Sequence, residues 1–146
     1  MEFKRCGNDY IIRVDKDEEI VSVIKDFCNK NKIKLGFITG IGAVNHAKIG
    51  LFETSTKKYH STELKGDYEI TSLTGNISTM NGEIYLHIHI SLGDSSYNVR
   101  GGHLNFAKVS ATAELYIHKI KGKVEREFSD KIGLNLYKFN TYKRRK

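Results

Sequence analysis

The amino-acid sequence predicts an α+β fold, in which a single domain consists of a large mixed or antiparallel β-sheet with one main N-terminal helix packed on it. Three observations lead to this class. Strand patterns dominate the chain from residue 34 onward. Residues 16–31 are the one convincing match to an amphipathic helix. The 146 residues contain no proline, no Gly-rich linker and no visible repeat, so nothing marks a second domain.

The N-terminal helix is predicted from its capping residues and its apolar spacing. A first strand is expected at residues 10–14 (YIIRV). Asp15 follows as a favourable N-cap, and Glu18 stands three residues later, which is the spacing of a capping box. The helix is therefore expected over residues 16–31. Its buried stripe is expected to consist of Ile20, Ile24, Phe27 and Cys28.

The rest of the chain is predicted to be a succession of strands. They are expected at residues 36–44, 48–53, 57–64, 68–73, 75–79, 84–92, 108–121 and 124–128. Asn81-Gly82 is the strongest hairpin signal, because these residues suit a tight type I′ turn. Gly40-x-Gly42 lacks the third glycine of a dinucleotide-binding motif, so we expect its glycines to permit close backbone approach at the centre of an assembly. One face of the strand at 108–121 is expected to hold Val109, Ala111, Ala113, Leu115 and Ile117.

Three histidines within residues 82–104 (GEIYLHIHISLGDSSYNVRGGHL) have an arrangement suited to a metal ion. His87 and His89 lie two apart in a predicted strand, so both project from one face while apolar residues fill the other. A short loop then leads to two glycines and His103. Three imidazoles with an open fourth position suit Zn²⁺ best. The alternative is a polar seam, in which the histidines hydrogen-bond across a subunit contact.

Arg100 immediately precedes Gly101 and Gly102, and these three residues are candidates for ligand binding. A guanidinium group at this place could hold an anionic ligand through two parallel hydrogen bonds. The two glycines would let the backbone come close to that ligand. The alternative interpretation of Arg100 is an ordinary exposed arginine on a loop.

Positive charge is concentrated at the C-terminus. The formal net charge is +7, and residues 138–146 carry five cations and no acidic residue, which leaves +2 for residues 1–137. We therefore treat 1–137 as the domain and 138–146 as a basic tail. Lys143, Arg144, Arg145 and Lys146 could contact DNA phosphates weakly and without sequence preference. The alternative is a solvated chain terminus.

The apolar segments predict a cytoplasmic protein that does not enter a membrane. No run approaches the roughly 20 apolar residues that a membrane span needs. The N-terminal residues MEFKRCGNDY lack the apolar stretch of a signal peptide. Cys6 and Cys28 are too few for a disulfide framework, which agrees with a reducing compartment.

An ordered series of motifs resembles the plant-and-prokaryote-conserved (PPC) domain, the module that plants combine with AT-hooks. The series is Gly40-Ile41-Gly42-Ala43-Val44, Gly50-Leu51-Phe52, residues 64–78 (LKGDYEITSLTGNIS), Asn81-Gly82, Leu86-His87-Ile88-His89 and Gly101-Gly102-His103-Leu104. It covers roughly residues 3–121. The resemblance implies a compact α+β fold similar to that of acetolactate decarboxylase, a zinc enzyme with a similar His-x-His and distal His pattern. It also implies a homotrimer, as in prokaryotic members of the family.

The same resemblance singles out the segment that contains Glu69, which makes this residue the first candidate for a catalytic carboxylate. It could orient a metal ligand or act as a general base, and the alternative is a sheet carboxylate paired with a Lys or Arg. Plant members bind DNA through an Arg-Gly-Arg-Pro hook outside the domain, and a chain without proline cannot contain that hook.

Two functions follow from these observations. The first is a trimeric binding or regulatory module of the PPC type, with a three-histidine metal site and weak DNA binding. The second is a zinc-dependent enzyme, similar to a lyase or decarboxylase, that acts on a small anionic metabolite. The family motifs and the basic tail favour the first, and the three histidines favour the second.

Overall fold

The computed structural model describes residues 1–139, which form one helix and eight strands. The helix α1 spans Ile20–Lys30. The strands are β1 Glu2–Cys6, β2 Asp9–Asp15, β3 Gly36–Glu53, β4 Lys58–Met80, β5 Glu83–Gly93, β6 Val99–Lys119, β7 Glu125–Ser129 and β8 Leu134–Lys138. In this part of the chain, no helix has the length and apolar character that crossing a membrane requires.

The strands form one mixed sheet whose central part closes on itself. Strand β3 pairs with β4 and β6, and β5 also pairs with β4 and β6, so these four strands form a closed antiparallel ring. The hairpin β1–β2 extends the sheet from β6. The hairpin β7–β8 extends it from β4 through a parallel pairing at Thr79 and Glu125. The predicted α+β class is confirmed, with one helix on a predominantly antiparallel sheet.

Helix α1 contacts β5 and β6 through the predicted apolar stripe. Ile20, Ile24, Phe27 and Cys28 are all buried. The predicted helix start at residue 16 is wrong, because the N-cap is Glu19, whose carboxylate accepts hydrogen bonds from the backbone N–H groups of the first turn. The Glu18 carboxylate does accept from the Asp15 N–H at 2.8 Å, as in a capping box. Asp17 then adopts a φ of 70°, which delays the helix until Ile20.

Several predicted strands are parts of longer ones, and β1 was not predicted. The segments at 36–44 and 48–53 belong to β3, and those at 57–64, 68–73 and 75–79 belong to β4. Bulges in β3 between Gly40 and Gly42 and between Val44 and His46 shift the alternation of side chains, which hides the continuity of the strand in the sequence.

The backbone contains both the predicted Asn81-Gly82 turn and a close approach at Gly40. Asn81 and Gly82 both have positive φ, at 53° and 84°, and join β4 to β5 as a two-residue hairpin. A Cβ on Gly40 would lie 2.6 Å from the Glu114 carbonyl oxygen. The close approach expected at this glycine therefore exists, and it is to the neighbouring strand β6. Ala111 is exposed, in contrast to the prediction, because β6 bulges between Val109 and Ala113.

Candidate metal centre

Three histidines converge on the outer face of the closed ring. His89 on β5 is the direct cross-strand partner of His103 on β6. His87 lies two residues before His89 and therefore projects from the same face. One ring nitrogen from each side chain lies within 4.8 Å of the others. The convergence predicted from the His-x-His spacing is present in the structure.

The spacing of these nitrogens fits a tetrahedral metal ion. Nε2 of His87 and Nε2 of His89 lie 3.3 Å apart. Two nitrogens that bind one tetrahedral Zn²⁺ at about 2.05 Å are separated by about 3.3 Å. The ring centroids of the three histidines are 5.1, 5.4 and 5.6 Å apart, so no other side chain separates them. The donors are all nitrogen atoms, which suits Zn²⁺ better than Mg²⁺ or Ca²⁺.

The surroundings of the site favour the neutral form of His87 and of His103. Burial lowers the pKa of His87 to about 4, assisted by the positive charges of His103, Arg126 and His89. Burial, with a smaller contribution from His89, also lowers the pKa of His103. Neutral imidazole is the form that donates a lone pair to a metal. These two ligands are therefore ready to bind a cation at neutral pH.

The two glycines before His103 also suggest that a Gly-rich turn delivers this histidine, but Gly101 and Gly102 lie inside strand β6. A Cβ on Gly101 would lie 2.8 Å from the Ile90 carbonyl oxygen, and one on Gly102 would lie 2.6 Å from that of Gly50. The missing side chains thus allow β6 to approach β5 on one side and β3 on the other. This close packing places His103 opposite His89.

Glu69 is exposed and is not part of the three-histidine cluster of the same chain. It is the cross-strand partner of Gly93 on β5. Gly93 lies four residues beyond His89, which is roughly 13 Å along a strand at about 3.3 Å per residue. Glu69 instead lines a separate cleft of about 780 Å³ together with Asp67, Asp94 and Tyr97.

Arg100 is exposed and pairs with Leu92 at the start of β6. It stands three positions before His103, an odd number, so the two side chains leave the strand on opposite faces. Arg100 and the histidine cluster are therefore not brought together as the sequence order suggests.

Arg126 lies beside the cluster and was not predicted. It comes from β7, and its guanidinium group donates to the side-chain oxygen of Asn76, which is the cross-strand partner of His87. Its charge is one of the causes that lower the pKa of His87. The sequence contains no signal for this placement, because 38 residues separate Arg126 from His87 and the contact depends on how the β7–β8 hairpin joins β4.

The other three histidines form exposed contacts with carboxylates, as expected for surface or structural residues. The pairs are His46 with Glu63 at 3.2 Å, His60 with Glu53 at 3.4 Å and His118 with Asp9 at 2.6 Å.

The basic tail lies largely outside the described residues. Lys143, Arg144, Arg145 and Lys146, the candidate DNA contacts, are beyond residue 139. Lys138 is the last residue of β8 and pairs with Glu127 at 2.8 Å. The folded part therefore extends one residue into the segment assigned to the tail.

Most of the chain is similar to known proteins of one family. A model of the Plants and Prokaryotes Conserved (PCC) domain family matches residues 1–121. No curated protein matches. A solved plant- and prokaryote-conserved (PPC) protein from Pyrococcus horikoshii is 39% identical, with a TM-score of 0.85 and coverage of 95% of this chain and 94% of that one.

Two further solved structures are similar over almost their full length. A Bacteroides thetaiotaomicron protein, provisionally named a DNA-binding protein, is 36% identical with a TM-score of 0.92, and the match covers 94% of this chain and 96% of that one. A metal-containing protein from Archaeoglobus fulgidus is 34% identical with a TM-score of 0.86, and the match covers 94% of this chain and 97% of that one.

Proposed function

Since the chain belongs to the Plants and Prokaryotes Conserved domain family, we propose that it is a metal-binding module with a binding or regulatory role. The observation that carries this proposal is the convergence of His87, His89 and His103, with two of their nitrogens at the 3.3 Å separation of shared tetrahedral ligands. The similarity to a metal-containing protein from Archaeoglobus fulgidus supports it.

Zn²⁺ is the metal that we propose for this site. Three neutral imidazoles leave one position of a tetrahedral ion open to an external ligand. When bound, Zn²⁺ supplies Lewis-acid chemistry at that position. The protein contributes the fixed cross-strand geometry of the histidines and the burial that keeps His87 and His103 unprotonated.

A homotrimer is the assembly that we propose. Phe37, Ile41 and Tyr116 lie on adjacent strands β3 and β6 and are each at least half exposed, at 50%, 59% and 53%. Apolar side chains exposed together on one sheet face favour contact with another subunit. The number of subunits comes from the resemblance to prokaryotic members of the family.

The two cysteines are free thiols, which agrees with the cytoplasmic location that we also propose.

Weak DNA binding through the basic tail is a further part of the proposal. The similarity to the Bacteroides thetaiotaomicron protein supports it. Lys143, Arg144, Arg145 and Lys146 would contact phosphates without reading bases, because cationic side chains release counterions from DNA of any sequence.

A zinc-dependent enzyme acting on a small anionic metabolite, in the manner of a lyase or decarboxylase, is the second candidate. The open metal position and the buried cation Arg126 beside His87 favour it. The cluster itself contains no carboxylate among residues 1–139. A general base would therefore have to come from outside the cluster.

Metal analysis of purified protein tests the proposed function. Wild-type protein should carry about one zinc ion per chain, and the double substitution His87→Ala with His89→Ala should remove it. The matched control replaces His46 and His60 by Ala, since these histidines lie outside the cluster and pair with carboxylates. The control should keep its metal. Equal metal content in the two double variants would contradict the proposal.

A further inference from the structure

Arg126 is a buried cation held in a fixed position. The residue is 8% exposed. Nε donates to Ser78 Oγ, Nη1 to the Asn135 carbonyl oxygen and Nη2 to Asn76 Oδ1, each at 2.8 Å. These acceptors come from β4 and β8, so the guanidinium group joins the C-terminal hairpin to the wall of the closed ring.

Two aromatic rings complete the enclosure of this guanidinium group. Its central carbon lies 4.1 Å from the ring centroid of Tyr137 and 4.8 Å from that of Tyr85. Such contacts stabilise a cation without neutralising it. The Tyr85 hydroxyl also accepts a hydrogen bond from the Asn135 side chain at 3.3 Å, which fixes the ring.

The positive charge of Arg126 has no counter-ion within the described chain. All its hydrogen-bond acceptors are neutral, and no carboxylate of residues 1–139 forms an ion pair with it. A buried and uncompensated charge is costly and is rarely retained for stability alone. Three hydrogen bonds also use only three of the five N–H donors that a guanidinium group carries.

The position of Arg126 relates this charge to the metal centre. Asn76, which it contacts, is the cross-strand partner of His87. Tyr85, on which it stacks, lies two residues before His87 and on the same face of β5. A metal ion here would therefore add its charge to a site that is already positive and has no acidic ligand.

We propose that Arg126 is the specificity-determining cation of this site and makes it select a small anionic ligand, such as a carboxylate, over a neutral one. The proposal rests on the metal site of the proposed function. An anion in the open position would be attracted by both the metal and the guanidinium group, whereas a neutral ligand would be attracted by the metal alone. Arg126 thus takes the role that the sequence suggested for Arg100.

Ligand titration of Co²⁺-loaded protein tests this inference, because visible absorption reports the coordination of Co²⁺ directly. Acetate serves as the anionic probe and imidazole as the neutral one. Arg126→Gln removes the charge, Arg126→Lys keeps it, and Arg13→Gln is the matched control, since Arg13 is an exposed arginine on β2. Circular dichroism and thermal melting establish that each variant is folded.

The inference predicts that Arg126→Gln weakens acetate binding about tenfold or more, the effect of losing one charge-assisted contact. Imidazole binding should stay unchanged, and the Arg13→Gln protein should resemble wild type with both probes. Arg126→Lys should keep acetate affinity within about threefold because it keeps the charge. If Arg126→Gln does not fold, a more than tenfold loss of acetate affinity in folded Arg126→Lys still refutes the inference.

Three results would overturn the inference: unchanged acetate affinity in Arg126→Gln, equal loss of acetate and imidazole binding, or a more than tenfold loss of acetate affinity in folded Arg126→Lys. Failure of wild-type protein to bind Co²⁺ at all would instead contradict the proposed metal site. The two failures are therefore distinguishable.

Discussion

Replacement of Gly102 by Ala tests how the sheet positions the third histidine. An added Cβ would lie 2.6 Å from the Gly50 carbonyl oxygen and 3.4 Å from its carbonyl carbon. Ordinary contact of a Cβ begins at 3.4 Å, so β6 and β3 must separate by about 0.8 Å. The obstructing atoms belong to the backbone of a neighbouring strand and cannot rotate away as a flexible side chain can.

The energetic cost of Gly102→Ala can be estimated from this overlap. Overpacking of this kind costs about 1–3 kcal/mol. The lower entropy of the unfolded Ala chain offsets about 0.4–1 kcal/mol of that. The expected net loss of about 1–2 kcal/mol corresponds to a decrease in Tm of roughly 3–8 °C for a chain of this size. Metal affinity should fall as well, because His103 is the next residue.

Thermal melting and zinc titration measure both effects. Gly93→Ala is the matched control, because its added Cβ would meet only the Thr71 methyl group, at 3.3 Å, and the Glu69 carbonyl oxygen, at 4.0 Å. The control should change stability by no more than about 0.5 kcal/mol. If Gly102→Ala melts at the same temperature as Gly93→Ala and binds zinc as wild type does, close strand packing does not position His103.

Three further predictions concern pH, DNA and assembly. In metal-free protein, the free energy of unfolding should fall as pH decreases from 6.5 to about 4, because the unfolded chain protonates at the ordinary histidine pKa while folded His87 does not; a His87→Asn variant should lose part of this slope in urea titrations, and an unchanged slope would contradict the assigned pKa. Truncation after Asn140 should abolish DNA binding, whose log–log salt slope should be about −4 for four phosphate contacts; tight, sequence-specific binding by the truncated protein at physiological salt would show that the folded domain reads DNA. Light scattering at micromolar concentration should give three times the mass of one chain, and a monomer mass would refute the trimer.

The local features of the fold could be predicted from the sequence, whereas the length of the strands could not. The apolar stripe of α1 and the Asn81-Gly82 hairpin depend on neighbouring residues, so spacing and turn chemistry are sufficient. The continuity of β3 and β4 depends on cross-strand pairing through bulges. A bulge interrupts the alternation on which strand prediction relies.

In the candidate metal centre, too, the local features could be predicted from the sequence and the features that depend on strand pairing could not. His87 and His89 share a strand face by simple alternation, so their proximity follows from the sequence. The placement of Glu69 and Arg126 depends on register over many residues. Glu69 lies on β4, which pairs with the histidine-bearing strand β5, but its cross-strand partner is Gly93 and not a histidine. Arg126 reaches the site from the last hairpin, through contacts that no local pattern encodes.

X-ray absorption spectroscopy of the zinc-loaded protein tests the central claim most directly. A zinc ion held by the three histidines should show a first shell of light atoms at about 2.0–2.1 Å, with the multiple scattering of three imidazole rings and one further oxygen or nitrogen ligand. The His87→Ala variant should lose one imidazole from this shell. A sulfur ligand at about 2.3 Å, or a shell without three imidazoles, would contradict the assignment of His87, His89 and His103 as the metal site.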